Sequence, residues 1–130
     1  MIYAVDVNLD DSVLLVGGST EYGFDKGQAI LQAVSFNKKL SYITDLKIDE
    51  RDNRFVSKIR RIPETNRFFA ATIDMIYVYE FKNRKFYKLS VIENASKSVV
   101  GITDMVYHKN TLYAFTAGDT EISRIEFASY

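Results

Sequence analysis

Short apolar segments separated by polar turns run along the whole chain, and they recur at a fixed interval. Three of them, 29–36, 75–81 and 121–127, begin 46 residues apart. They are rich in β-branched and aromatic residues, which favour the pleated surface of a strand. No apolar stripe of helical spacing continues over three turns. The pattern therefore predicts an all-β protein built from a repeated unit.

Each repeat contains up to four strand-like segments in the same order, joined by turns rich in Asn, Asp and Lys. Four antiparallel strands in about 40–45 residues are typical of a β-propeller blade. The predicted strands are 2–7, 13–16, 29–36 and 40–46; then 56–62, 68–71, 75–81 and 86–92; then 102–107, 112–115 and 121–127.

The repeat predicts a single propeller segment, 1–130, with blades at approximately 1–50, 51–97 and 98–130. Propellers close through about four to eight blades, so the ring is incomplete. The third blade lacks a predicted outer strand, and the uncovered edge would present unpaired backbone groups. We expect the chain to be a portion of a longer polypeptide, or to be completed by another chain or by self-association.

Several positions of the repeat resemble WD repeats. The segments 2–7 and 102–107 look like the innermost strand of that family, and the turn containing Pro63 resembles the turn that follows it. Tyr79-Glu80 and Ile125-Glu126 stand where the family has its Trp-Asp dipeptide. The chain has no tryptophan and no Gly-His dipeptide, so it resembles a degenerate form. The resemblance implies a propeller that acts as an interaction scaffold.

An insertion at 19–28, between the second and third strands, distinguishes the first blade from the others. Its glycines and those just before it permit positive φ and close backbone approach. Loops on rigid scaffolds often carry function, although an elongated hairpin without a binding role is the alternative. The binding hypothesis assigns partner contacts to Glu21, Tyr22, Phe24 and Lys26.

The basic residues are concentrated in the middle of the chain. The chain has 17 basic and 17 acidic residues, yet residues 51–97 hold 11 basic and only 5 acidic ones. The basic middle blade suggests an acidic protein partner, with Arg60, Arg61 and Arg67 as contact residues. Nucleic acid or phosphoinositide binding and a merely solvated face are the alternatives.

Catalytic machinery is not indicated. The chain has no cysteine, which excludes thiol nucleophiles and cysteine zinc sites. The lone histidine, His108, is expected in a turn, and the acidic clusters lack the spacing of a calcium loop. No hydrolase, metalloprotease or dinucleotide motif is present. We expect no enzymatic activity, no cofactor and no metal; a channel-site enzyme or ligand-binding propeller completed by missing blades is the alternative.

Targeting signals are also lacking in the sequence. No basic and apolar leader opens the chain, and nowhere do about 18 apolar residues follow one another. We therefore expect an intracellular, cytoplasmic protein without a membrane span. The function predicted is a non-enzymatic scaffold that binds other protein chains as part of a larger assembly.

Overall fold

A computed structural model describes residues 1–8, 12–21, 27–48, 54–73, 75–92 and 102–116, and the backbone of 123–126. These residues form eleven strands in three antiparallel sheets. The bounds of the strands follow the predicted segments to within a few residues.

The first sheet contains four strands paired in chain order. Its faces follow the alternation of side chains along a strand. Leu15, Leu31 and Ala33 are buried on one face, where they pack against the second sheet. The strands are β1 (Ile2–Val7), β2 (Val13–Ser19), β3 (Ala29–Ser35) and β4 (Ser41–Lys47).

The second sheet also contains four strands in chain order, and it is the middle layer. Phe68 and Tyr77 belong to the apolar cluster shared with the first sheet, whereas Phe69 and Val78 belong to the cluster shared with the third. Burial on both faces explains why this sheet has an uninterrupted apolar run at 68–71. The strands are β5 (Lys58–Arg61), β6 (Arg67–Ala71), β7 (Ile76–Lys82) and β8 (Lys85–Ile92).

The third sheet has three strands among the described residues, β9 (Ile102–His108), β10 (Thr111–Thr116) and β11 (Ser123–Glu126). His108, which the sequence placed in a turn, is instead the last residue of β9, and it is exposed. The turn consists of Lys109 and Asn110 alone, with φ of 49° and 62°. Positive φ at both central residues gives the twist that a two-residue hairpin requires.

The three sheets pack face to face, with β1, β5 and β9 in contact as their innermost strands. The backbone N–H of Arg61 donates to Asp6 Oδ2 of the first sheet at 2.8 Å. Ser57 Oγ donates to the Ile102 carbonyl of the third sheet at 2.6 Å. Each sheet is therefore joined to the next along the inner edge, as blades of a propeller are.

This arrangement confirms an all-β fold of four-stranded antiparallel propeller blades in an open ring. The exact division of the chain at 50/51 and 97/98 stays a prediction, because those positions lie outside the described residues. Residues 127–130 also lie outside the described residues. The absence of an outer strand from the third blade therefore stays a prediction.

Candidate interaction surfaces

The inserted loop begins where β2 ends and returns at β3. Glu21 is exposed, and its backbone N–H donates to Ser19 Oγ at 3.3 Å. The base of the loop is closed by two bonds between Thr20 and Gln28, each of 3.0 Å. Tyr22, Phe24 and Lys26 lie outside the described residues. The structure thus fixes the stem of the predicted binding loop and the position of Glu21.

Gly27 is required at the return of this loop. Its φ is 86°, a conformation that side chains with a Cβ adopt at a cost. A Cβ at this position would also lie 2.4 Å from Ser19 Oγ. The sequence correctly indicated a loop glycine with positive φ here.

Arg60 is partly exposed and contacts the third sheet. Its Nε donates to the Met105 carbonyl at 3.0 Å, and its Nη2 lies 3.2 Å from Asp104 Oδ1. Lys58 Nζ lies 3.3 Å from the same carboxylate oxygen. These contacts join the second sheet to the third. Lys58 and Arg60 therefore neutralise the carboxylate of Asp104 on the neighbouring blade and do not simply face outward.

Asp104 is kept charged by this arrangement. Partial burial by itself opposes the carboxylate and would raise the pKa of Asp104. The N–H of Met105, which donates to Oδ1 at 2.8 Å, and the charges of Lys58 and Arg60 outweigh this effect and lower the pKa below its ordinary value. The carboxylate was missed by sequence reasoning, because its cationic partners, Lys58 and Arg60, lie more than 40 residues away along the chain.

Arg67 is also paired. Its Nε lies 3.4 Å from Glu80 Oε2, and Lys82 Nζ lies 3.2 Å from Glu80 Oε1. The hydrogen bond from Lys82 is the main reason that the pKa of Glu80 lies below its ordinary value, and Arg67 adds to it. Glu80 stands in the position that resembles the Asp of the WD dipeptide, and it has become the centre of a small ion-pair cluster.

The predicted residues are divided between two ends of the sheets. Arg60, Arg61 and Arg67 flank the turn between β5 and β6, whereas Glu21 lies at the opposite end, beyond β2. Arg61 follows Arg60 in the strand, so its side chain lies on the face towards the first sheet. The structure therefore does not bring Glu21 and the arginines into one site.

An exposed apolar surface lies on the first sheet, on the face turned away from the second sheet. Cross-strand pairing aligns an apolar row across all four strands of this sheet, and directly paired residues share a face. Val5 is 58% exposed and Tyr42 is 62% exposed. We call this surface the free face; its row is Val7, Leu14, Val34 and Tyr42, with Val5 and the buried Val16 beside it.

The free face has the same layout as the faces that are covered. In the second sheet, Ile59, Ala70 and Tyr77 form a cross-strand row that packs against the first sheet. On the free face, the residues paired beyond Val5 and Val16 are Gln32 and Asp45, so polarity rises towards the outer strand. No described residue of another sheet covers it. The free face is therefore built like a surface between two blades.

Within the described ranges, no group of three or more histidine and acidic side chains is placed to hold a metal ion. In that same part of the chain, no helix has the length and apolar character needed to cross a membrane.

The packing of four-stranded sheets along their first strands defines the class of fold as an open β-propeller. Among solved structures, 23 chains match this one. Hsv2 of Kluyvelomyces marxianus matches with a TM-score of 0.52 and 16% identity over 97% of this chain and 33% of that one. Sqt1 of Saccharomyces cerevisiae matches with a TM-score of 0.59 and 11% identity over 95% of this chain and 34% of that one.

These similarities show the fold alone, because the identities are low. The chain spans about a third of the length of each of these two structures. No family model matches the chain, and no curated protein sequence does.

Proposed function

We propose that this protein is a non-enzymatic, degenerate WD-repeat-like propeller of about three blades that binds other protein chains and is completed by further blades. The observation that carries the proposal is the free face of the first sheet. An exposed apolar row is costly in water, and contiguous exposed apolar patches mark interaction surfaces. A blade from the same polypeptide or from another chain would bury it as the second sheet buries the opposite face.

Rigidity explains how such a scaffold would work. The strands are already paired, so a partner that docks on them orders few new residues, and the cost of binding is low. The exposed turns and the inserted loop then supply specificity. We propose Glu21, Tyr22, Phe24, Lys26 and Arg61 as contact residues, with Arg60 and Arg67 contributing through the solvent-facing part of their guanidinium groups.

Binding of nucleic acid or phosphoinositide through the middle blade is the weaker candidate. Lys58 and Arg60 share the carboxylate of Asp104, and Arg67 and Lys82 share that of Glu80. Four of the cations that would form a polyanion site are thus partly neutralised within the chain. A channel-site enzyme completed by missing blades has no group in the described residues to support it.

A photocrosslinking amino acid at Tyr42 tests the proposal in the cell. We expect adducts with a defined protein chain when the crosslinker stands at Tyr42, at the outer end of the exposed row, where the side chain is 62% exposed. The matched control is Leu89, which is 42% exposed on the outermost strand of the second sheet. Adducts that are equal at both positions, or absent at Tyr42, would remove the free face as a protein-binding surface.

The same proposal makes a claim about association in solution. We expect Val5→Glu with Tyr42→Glu to abolish self-association or partner binding while the far-UV circular dichroism spectrum is retained, because both side chains are exposed. A wild-type chain that sediments as a monomer and shows slow amide exchange throughout would contradict the need for completion. Once a partner is known, Glu21→Ala and Arg61→Ala should weaken its capture without unfolding the protein.

A further inference from the structure

A cleft lies between the first and second sheets, at the end where β1 turns into β2 and β7 turns into β8. Its volume is about 360 Å³, which falls in the range of ligand sites of roughly 300–1,000 Å³. The first sheet forms one wall with residues of β2, β4 and the turn after β1. The second sheet forms the other wall, which includes the turn Asn83–Arg84. The lining residues are Asn8, Val13, Ile43, Asn66, Phe81, Lys82, Asn83 and Arg84.

Two hydrogen-bond acceptors in the lining are buried and unpaired. The side-chain oxygens Oδ1 of Asn8 and Asn66 have no hydrogen-bond partner in the part of the chain that is described. Asn8 is only 3% exposed. Buried polar atoms of native proteins nearly always have a partner, and leaving one without costs free energy that a donor from a ligand recovers. One asparagine comes from each wall. Both oxygens are shielded from solvent in this structure, so a single ligand engages them only when the two side chains turn into the cleft.

The rim of the cleft is positively charged. Arg84 is exposed in the turn after β7, with φ of 62°, and its side chain forms no ion pair among the described residues. Lys82 stands beside it, although it shares Glu80 with Arg67. None of the described lining residues carries a carboxylate. The positive charge of Arg84 therefore attracts an anionic group to the mouth of the cleft. The unpaired asparagine oxygens of the lining favour a ligand that carries hydrogen-bond donors.

We propose that this cleft binds an extended acidic peptide segment of a partner protein. A peptide backbone supplies N–H donors for the asparagine oxygens, and it also supplies carbonyl groups for their amide nitrogens. A glutamate or aspartate side chain reaches Arg84, and small apolar side chains pack on Val13, Ile43 and Phe81. A bare phosphate group meets the charge of the rim but offers no array of N–H donors to the interior.

The inference rests on the proposed function, since it names where and by what chemistry one protein partner is held. It is independent of the free face, which lies on the other side of the first sheet. Loss of peptide binding with intact crosslinking at Tyr42 would therefore overturn this inference and leave the proposed function standing.

The test uses fluorescein-labelled octapeptides that contain two glutamates in a glycine and valine background, with glutamine-substituted peptides as neutral controls. We expect the acidic peptides to bind the 130-residue chain and the neutral ones to bind more weakly, as measured by fluorescence anisotropy. Arg84→Glu should weaken the acidic peptides by roughly tenfold, because a charge-assisted contact is replaced by a repulsive one. Lys38→Glu is the matched control: Lys38 occupies the corresponding turn of the first sheet with φ of 72°, outside the cleft.

Asn8→Leu tests the unpaired acceptors separately. We expect the thermal midpoint of this variant to equal or exceed that of the wild type, because an unpaired buried oxygen is replaced by an apolar group of similar size. Peptide affinity should fall by roughly threefold or more. A clear drop in the thermal midpoint would show that Asn8 is satisfied within the fold, and it would overturn the role given to Asn8.

Three further results would overturn the peptide proposal. One is the absence of acidic-peptide binding at about 1 mM, the weakest affinity of interest. Another is an equal effect of Arg84→Glu and Lys38→Glu. The third is binding of inorganic phosphate, or of vesicles containing a phosphorylated lipid, that depends on Arg84 when the peptides do not bind.

Discussion

Gly17 shows how a single residue decides the spacing of two blades. The sequence suggested that Gly17 permits positive φ or close approach, and the structure selects the second reason. Gly27 is the glycine with positive φ among the described residues. A Cβ on Gly17 would lie 2.5 Å from Val56 Cγ1 and 3.1 Å from Ile59 Cδ1. Any larger residue would therefore push the second sheet away from the first.

We expect Gly17→Ala to destabilise the protein by about 1–3 kcal/mol, since the added methyl group overpacks a filled core. Urea unfolding followed by circular dichroism measures the loss. In the double variant with Val56→Ala, the contact with Cγ1 at 2.5 Å is gone and that with Cβ at 2.9 Å remains, so the combined loss should be smaller than the sum of the single losses. Strict additivity would show that Gly17 does not act through Val56.

At the scale of elements, β5 connects all three sheets. The sequence predicted this strand over 56–62, and it spans Lys58–Arg61. The strand begins later than predicted because the N–H of Val56 donates to the Gly18 carbonyl of the first sheet at 3.0 Å. Val56 therefore does not pair with β6 of its own sheet. The hydrophobic pattern locates such a strand, but the carbonyl that ends its pairing belongs to another blade and has no local signal.

The contact of β5 with β9 makes stability depend on pH through Asp104. The pKa of Asp104 is lower in the folded protein than its ordinary value of 3.8, so its stabilising effect is present above that value and is lost as the pH falls through the lowered pKa. We expect wild-type stability to fall between about pH 6 and pH 2.5 by more than that of Asp104→Asn. Because the side chain is 51% exposed, the difference should be below about 1 kcal/mol and should shrink in high salt.

Urea midpoints at the two pH values provide the measurement for Asp104. Glu64→Gln, in the exposed turn before β6, is the control for loss of a carboxylate that forms no ion pair among the described residues. If Asp104→Asn loses as much stability as the wild type on acidification, the ion pairs with Lys58 and Arg60 do not stabilise the fold.

At the scale of the whole molecule, the three sheets are unequally covered. The second sheet is buried on both faces, whereas the first sheet keeps the free face and the third has only one described neighbour. Local opening is rarest where a strand is covered on both sides. This difference is a property of the open ring and would vanish if further blades closed it.

We expect the amides of β6 and β7 to exchange most slowly in the isolated chain, and those of β1 and β9 to exchange faster despite their inner position. Hydrogen exchange followed by mass spectrometry tests this order. Addition of a partner that covers the free face should slow exchange in β1 and leave β7 nearly unchanged. Equal protection in all three sheets of the isolated chain would contradict the open arrangement.

The sequence by itself determined the strands, their order and the repeat, because alternation of apolar and polar residues and the turn residues between them are local properties. It also indicated the insertion between the second and third strands of the first sheet. Only the tertiary structure decided what the charged residues do. Arg60 forms an ion pair with Asp104, Arg67 forms one with Glu80, and Asn8 and Asn66 line the same cleft. These arrangements depend on how strands pair and sheets stack, and neighbours along the chain do not determine them.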